Sequence, residues 1–266
     1  MNSKTSTTAF VALVLFLSLP LGASAAATQT GTWQASSVAD GMRLQVQTRV
    51  EGGTTGLAFN VPVAELTGLA PAAQDGRPVR FRLSRTAGIF DFEGSFRDGE
   101  GSGTLRFTPD PAFLADLAQL GYSGIPGDQL LLMTAHDFNA DFVAALKRSS
   151  RSDLPAKQLS DVVRHAVTPA FYRGMRELGY GDLTTEQLIE LRIFGLTPEY
   201  VREMAALGFT SLTADQLVRL RQHGVSAEYI RALRAAGWDD LDVEQVIELR
   251  MHGGDLKRLG RSRNEG

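Results

Sequence analysis

No cysteine occurs anywhere in the 266 residues. That excludes disulfides, lipid attachment at an N-terminal cysteine and thiol chemistry, so an exported form of the chain has packing alone to hold it together. Basic charge is not in excess either: 27 Lys and Arg stand against 30 Asp and Glu, a formal net charge of −3. Phosphate backbones are met by concentrated basic surfaces, so no nucleic-acid partner is expected. Catalytic signatures are missing as well. The chain holds no H-E-x-x-H, G-x-S-x-G, P-loop, GxGxxG or metal-spaced His/Cys cluster. It is expected to be non-enzymatic and to need no cofactor, with a hydrolase lacking a recognisable motif as the alternative from another class.

Only one long apolar run is present, and it lies at the start. In MNSKTSTTAFVALVLFLSLPLGASAAA, Lys4 precedes an apolar stretch from Ala9 to Leu17. Pro20, Gly22 and the small triplet Ala23-Ser24-Ala25 come next. This is the order of a secretory signal peptide with cleavage after Ala25, and the apolar core falls short of the ~20 residues that span a bilayer. Residues 1–25 are therefore expected to be a signal peptide, the mature protein to be periplasmic or secreted, and no transmembrane segment to remain.

Hydrophobic residues make up 43% of the chain, enough to build cores. From residue 29 to about 108 the apolar residues alternate with period two. Met42, Leu44, Val46 and Val50 fall on one face, as do Val79, Phe81 and Leu83, then Phe90, Phe92 and Phe96, then Leu105 and Phe107. Asp40-Gly41, Gly52-Gly53, Asp75-Gly76 and Asp98-Gly99 punctuate these runs as hairpin residues. One-sided alternation predicts an antiparallel sheet wet on one face. Its other face needs a cover: the sheet curling on itself, the segment VPVAELTGL, or the helices C-terminal to it. Arg80, Arg82, Asp91 and Glu93 fit cross-strand pairs on the wet face.

From Asp110 the period changes. Steps of 29 from Gly179 land on Gly208 and Gly237 forward and on Ser150 and Gly121 backward. Four residues after each origin stands Ile125, Leu154, Leu183, Leu212 or Leu241, and eight after it stands Gln129, Gln158, Gln187, Gln216 or Gln245. Thr184 with Gln187 and Thr213 with Gln216 spell capping boxes, and Asp242 takes the cap beside Gln245. Pro126 and Pro155 hold that place in the first two units, leaving the box incomplete. Gly195, Gly224 and Gly253 read as helix stops, and Thr168-Pro169 and Thr197-Pro198 as starts of a second helix. Asp110 opens a half-unit matching the second helix alone, and Asp255 begins another at the far end.

The expected fold class is therefore α+β: a small antiparallel β domain over 26–109, then a solenoid-like array of helical-hairpin repeats over 110–260, then a disordered tail over 261–266. Units this small cannot keep an apolar face dry alone and must stack.

Two polar rungs recur in the array. His136, His165, His223 and His252 share one repeat position, with Phe194 in the remaining unit. Zinc holds its ligands at about 2 Å whereas packed helices lie ~8–10 Å apart, so successive rungs cannot share one ion and no metal is expected. An imidazole in the last helical turn fits the helix dipole, and a pH-sensing ladder is the alternative. Arg192, Arg221 and Arg250 form the second rung, a possible grip on an acidic partner or glycan, or else structural pairs with neighbouring units.

The repeat unit of residues 178 to 238, summarised as sLtxeQLixLRxhGvtpeYirxmraxGy, resembles the C-terminal tandem repeats appended to some bacterial BlaR-type membrane metallopeptidases. Those proteins sense antibiotics or envelope stress. RFRLSRTAGIFDFEGSFRDGEGSGTLRFTPDPAF is similar to the segment before such repeats in related exported proteins, so the resemblance covers residues 79 to 260. The protease part, with its zinc motif, has no counterpart here, and no catalytic residue carries over. The resemblance implies an accessory protein of the bacterial cell envelope. Its expected work is binding another protein or a cell-wall component along the helical surface. The alternative is a ligand-sensing accessory of an envelope-stress or antibiotic-sensing system, its pocket where sheet and helices meet.

Overall fold

A computed structural model describes residues 27–50, 53–69, 75–149 and 154–251. The expected signal peptide, Gly52, Ser150, His252, Gly253 and the half-unit opening at Asp255 lie outside the described residues.

Seven strands come first. They are β1 (Gln29–Val38), β2 (Gly41–Val50), β3 (Gly53–Val61), β4 (Leu66–Thr67), β5 (Asp75–Arg85), β6 (Gly88–Arg97) and β7 (Glu100–Pro109). They form one antiparallel sheet in the order β3-β2-β1-β7-β6-β5-β4. Asp98 and Gly99, both at positive φ, make the β6–β7 turn. Asp75-Gly76 does something else: it lies inside β5, where the register with β6 shifts between Asp75 and Pro78. Pro78 has no amide hydrogen for the ladder, and Gly76 at φ +80° absorbs the extra residue as a bulge.

The sheet curls until its edges approach. β3 and β4 are opposite edges, yet only Pro62, Val63, Ala64 and Glu65 separate them in sequence. Five chain steps reach at most ~17 Å, whereas a flat sheet of this order would be ~29 Å wide. The segment VPVAELTGL is thus the link between the edges, with a 3-10 turn at Val63–Glu65, and not a cover. Ring contacts across the interior fit the same curvature: Phe59 of β3 lies 6.0 Å from Phe90 of β6, and Trp33 of β1 lies 5.1 Å from Phe81 of β5.

Trp33 is 1% exposed and its indole N–H donates to the Glu93 carbonyl at 3.1 Å. Gly103 is the cross-strand partner of Trp33 on β7, and Gly94 is the partner of Gly103 on β6. A Cβ on Gly94 would lie 2.1 Å from the Ser102 carbonyl oxygen and 2.7 Å from Trp33 Cζ2, so the seat of the indole and the close approach of β6 to β7 both depend on bare backbone.

Ten helices complete the described chain: α1 (Pro111–Gln119), α2 (Gly127–Ala135), α3 (Ala140–Ser149), α4 (Ala156–Arg164), α5 (Pro169–Glu177), α6 (Thr185–Ile193), α7 (Pro198–Ala206), α8 (Ala214–Gln222), α9 (Ala227–Ala235) and α10 (Val243–Met251). The even-numbered helices start at intervals of 29 residues, and so do the odd-numbered ones. Each even helix packs on the next, α2 through α10, while α1 packs on α3, α5 on α7 and α7 on α9.

Local chemistry sets these bounds. Asp110, Asn139, Thr168, Thr197 and Ser226 each accept from a first-turn amide of an odd helix. Thr184 and Thr213 close capping boxes with Gln187 and Gln216, and Asp242 does so with Gln245. Such a cap contributes about 0.5–2 kcal/mol. Pro126 and Pro155 make no side-chain cap, and there the glutamines turn to the neighbouring helix instead: Gln129 bonds Ser160, and Gln158 bonds Glu186. α2, α4, α6 and α8 end on a left-handed residue, Gly195 and Gly224 late in the chain but Asp137 and Ala166 earlier. The same pair of backbone bonds closes each end, as in Leu196 N–H to Leu191 O and Gly195 N–H to Arg192 O.

Sheet and helices share a core. α2 packs against β3, β6 and β7, supplying the cover that the inner face needs along with the curl itself. No linker intervenes, because Asp110 caps α1 directly after β7 and donates its amide to Ala87 O at 3.1 Å. Arg85 at the end of β5 crosses to α2, donating to the Thr134 carbonyl at 3.3 Å and to that of Ala135, while Glu65 holds it at 2.9 Å.

Candidate binding surface

Each arginine of the rung folds back along the helices onto an aromatic ring. Arg192 lies 5.1 Å from the ring of Phe171, Arg221 5.0 Å from Tyr200 and Arg250 4.8 Å from Tyr229. Each ring belongs to the helix pair before the arginine's own. Each aromatic is also the residue whose amide is capped by Thr168, Thr197 or Ser226, so its position is fixed at both ends. The guanidinium then reaches the end of the preceding even helix: Arg192 Nε donates to Ala166 O at 3.1 Å and Arg221 Nη2 to Gly195 O at 3.4 Å. Three neutralising effects meet there: a ring face, an orphan carbonyl and the negative end of a helix dipole. At the first of these ends, Arg85 of the sheet meets the Thr134 and Ala135 carbonyls. Tyr122, Tyr180 and Tyr200 hydroxyls add bonds to Leu154 O, Leu212 O and Val225 O, each 2.7–3.0 Å and each in the next helix pair or the turn leading into it.

His136, His165 and His223 are the C-cap residues of α2, α4 and α8, and Phe194 holds that place in α6. His136 is the one drawn into the seam. Burial, and then the charges of Arg85 and Arg192, push its pKa below the ordinary value. Among the described residues no group of three His, Cys, Asp or Glu side chains is arranged to hold a metal ion.

The outward surface of α6, α8 and α10 carries another pattern. Glu186, Glu190 and Ile193 lie at i, i+4 and i+7 on α6, hence on one face, and all are exposed. Asp215, Arg219 and Gln222 repeat this on α8, and Glu244, Glu248 and Met251 on α10. With α6 on α8 and α8 on α10, the nine side chains form a grid with five carboxylates and one arginine. Arg219 is bound bidentately by Glu244, Nη2 to Oε2 at 2.5 Å. Glu186 is held ionised by its own helix-terminal amide, by Gln158 and by Thr184. Ile193 and Met251, 55% and 54% exposed, are two of the four most exposed large apolar residues described. Steps of 29 from Glu186, Glu190 and Ile193 reach all nine positions, so a signal for the grid is present in the sequence once the outward positions of a unit are tracked as closely as its buried ones.

The outer face of the sheet is polar. A shallow cleft of about 540 Å³ runs among Thr30, Thr32, Gln47, Arg49, Thr104 and Arg106. Beside it Arg80–Glu93 and Arg82–Asp91 pair across strands at 3.2 and 2.6 Å, more than a third exposed, so each contributes little. No helix among the described residues is long and apolar enough to cross a membrane. No protein-family model matches the chain, and no curated protein or solved structure is significantly similar to it.

Proposed function

We propose that this is an exported, non-catalytic protein of the bacterial cell envelope that binds another protein through a solenoid-like array of helical-hairpin repeats. The observation that carries the reading is the grid on α6, α8 and α10: five exposed carboxylates with Ile193 and Met251 on the same face. Its charge fits a partner surface rich in Lys and Arg, and its apolar members supply area that such a contact can bury. The 29-residue interval of helix starts supports the repeat reading, because identical spacing brings equivalent positions of successive helices together. The expected signal peptide and the resemblance to envelope-sensor repeats support the location. The arginine rung, turned onto Phe171, Tyr200 and Tyr229, serves cohesion between repeats in this reading and leaves the partner to the acidic face.

A photo-crosslinking residue in place of Ile193 tests the proposal in intact cells. A discrete adduct with one basic partner is expected from position 193 and none from Glu177 on α5. Adducts of equal yield and pattern from both positions contradict it.

A further inference from the structure

The edge strand β3 carries no strand on its far side, although α2 packs against part of it. β3 runs for nine residues, GTTGLAFNV, and among the described residues it pairs with β2 alone. No backbone hydrogen bond described outside the ladders involves residues 53–61. Edge strands of this length are ordinarily blunted by lysine, proline, inward charges or a bulge. β3 has none of these: it holds no charged residue and no proline, and its register with β2 is unbroken from Met42–Val61 to Val50–Gly53. Half-buried Leu57 lies on its core side, apolar surface that one more strand would cover.

The adjacent strand supplies the charge. Arg43 and Arg49 of β2 are exposed on the outer face, six residues apart and therefore on the same side. Neither has an ion-pair partner within 4.0 Å among the described residues. Between them and the open edge stand only the small outward side chains of Thr54, Gly56, Ala58 and Asn60. A strand added beyond β3 would lie ~10 Å from β2, within the combined reach of an arginine and a glutamate leaning across small residues.

We propose that β3 is a β-augmentation site for an extended acidic segment of another protein, which adds as a strand to its free edge and places carboxylates toward Arg43 and Arg49. Main-chain hydrogen bonds would give affinity, and the two arginines would select the sign of charge. A second copy of this chain fits less well. Pairing β3 with its symmetry mate would set four arginines on one face with no carboxylate on either β3 to offset them. This surface is separate from the acidic helical grid and selects a partner segment of opposite charge.

The test uses a labelled nine-residue peptide alternating valine with threonine, with glutamate at both ends of its threonine face, and the same peptide with lysine in place of glutamate. Fluorescence anisotropy with the whole protein is expected to show binding of the glutamate probe and none of the lysine probe. R43E/R49E is expected to weaken the glutamate probe about tenfold or more and to let the lysine probe bind. Hydrogen exchange is expected to slow at amides within 53–61 when the glutamate probe is bound. Absence of binding, binding without protection in β3, equal binding of both probes, or concentration-dependent self-association through β3 would each overturn the proposal.

Discussion

The guanidinium of Arg221 lies 5.0 Å from the ring centre of Tyr200, and its Nη2 donates to the carbonyl of Gly195. Both belong to the helix pair before Arg221's own, so one side chain holds a ring and a helix end of its neighbour. Replacing Arg221 by alanine removes a cation–π contact and a carbonyl cap, and we expect a loss of about 1–2 kcal/mol. Lysine keeps the charge without the planar face and should fall between. Denaturant midpoints of R221A, R221K and the parent protein check the order.

His136 sets a pH dependence with a definite sign. Its folded-state pKa lies below the ordinary value of 6.5, through burial and then through Arg85 and Arg192. Well above pH 6.5 the imidazole is neutral in both states and its contribution is constant. As the pH falls below that value the unfolded chain takes up a proton that the folded site resists, so stability is lost until the folded pKa is passed. His136→Phe places at this C-cap the residue type that α6 carries at Phe194. The stability difference between parent and variant should be flat well above pH 6.5 and shift in favour of the variant as the pH falls through that value, as urea midpoints across that range would show.

The close approach of β6 to β7 beside Trp33 predicts a contrast between two glycines. Gly94→Ala would drive a methyl against the Ser102 carbonyl and the indole, whereas Gly53 has open space around it at ordinary φ. We expect G94A to cost about 3 kcal/mol or more, in the manner of an overpacked core, and G53A to stay within about 0.5 kcal/mol. Near-ultraviolet circular dichroism of the buried indole and thermal midpoints of the two variants would report it.

Legibility in the sequence depends on the range of the interactions. Thr184 and Gln187 are three residues apart and spell their own cap, and Leu44, Val46, Phe90 and Phe92 declare a buried face by alternation alone. The curl of the sheet is different, because it depends on β3 and β4 becoming opposite edges, and nothing local to Pro62–Glu65 states that. Asp75-Gly76 has the composition of a hairpin turn, yet Pro78 two residues on converts it to a bulge. The turn that joins β5 to β6 uses Thr86 and Ala87, which carry no turn signature. The arginine rung has a readable period, but its ring partners lie 21 residues back, as Arg221 does from Tyr200. A charge at constant spacing does not reveal whether it points to solvent or to a neighbour.

Partner binding through the acidic grid is tested most sharply by the affinity of the protein for the partner crosslinked from position 193, compared with that of E190K/E248K. Both residues are exposed and neither joins a described ion pair, so the variant should keep the fold of the parent. Binding should weaken about tenfold or more and lose much of its salt dependence. Unchanged affinity with an intact fold would contradict a role for the grid, and the partner would then have to be held by another face of the molecule.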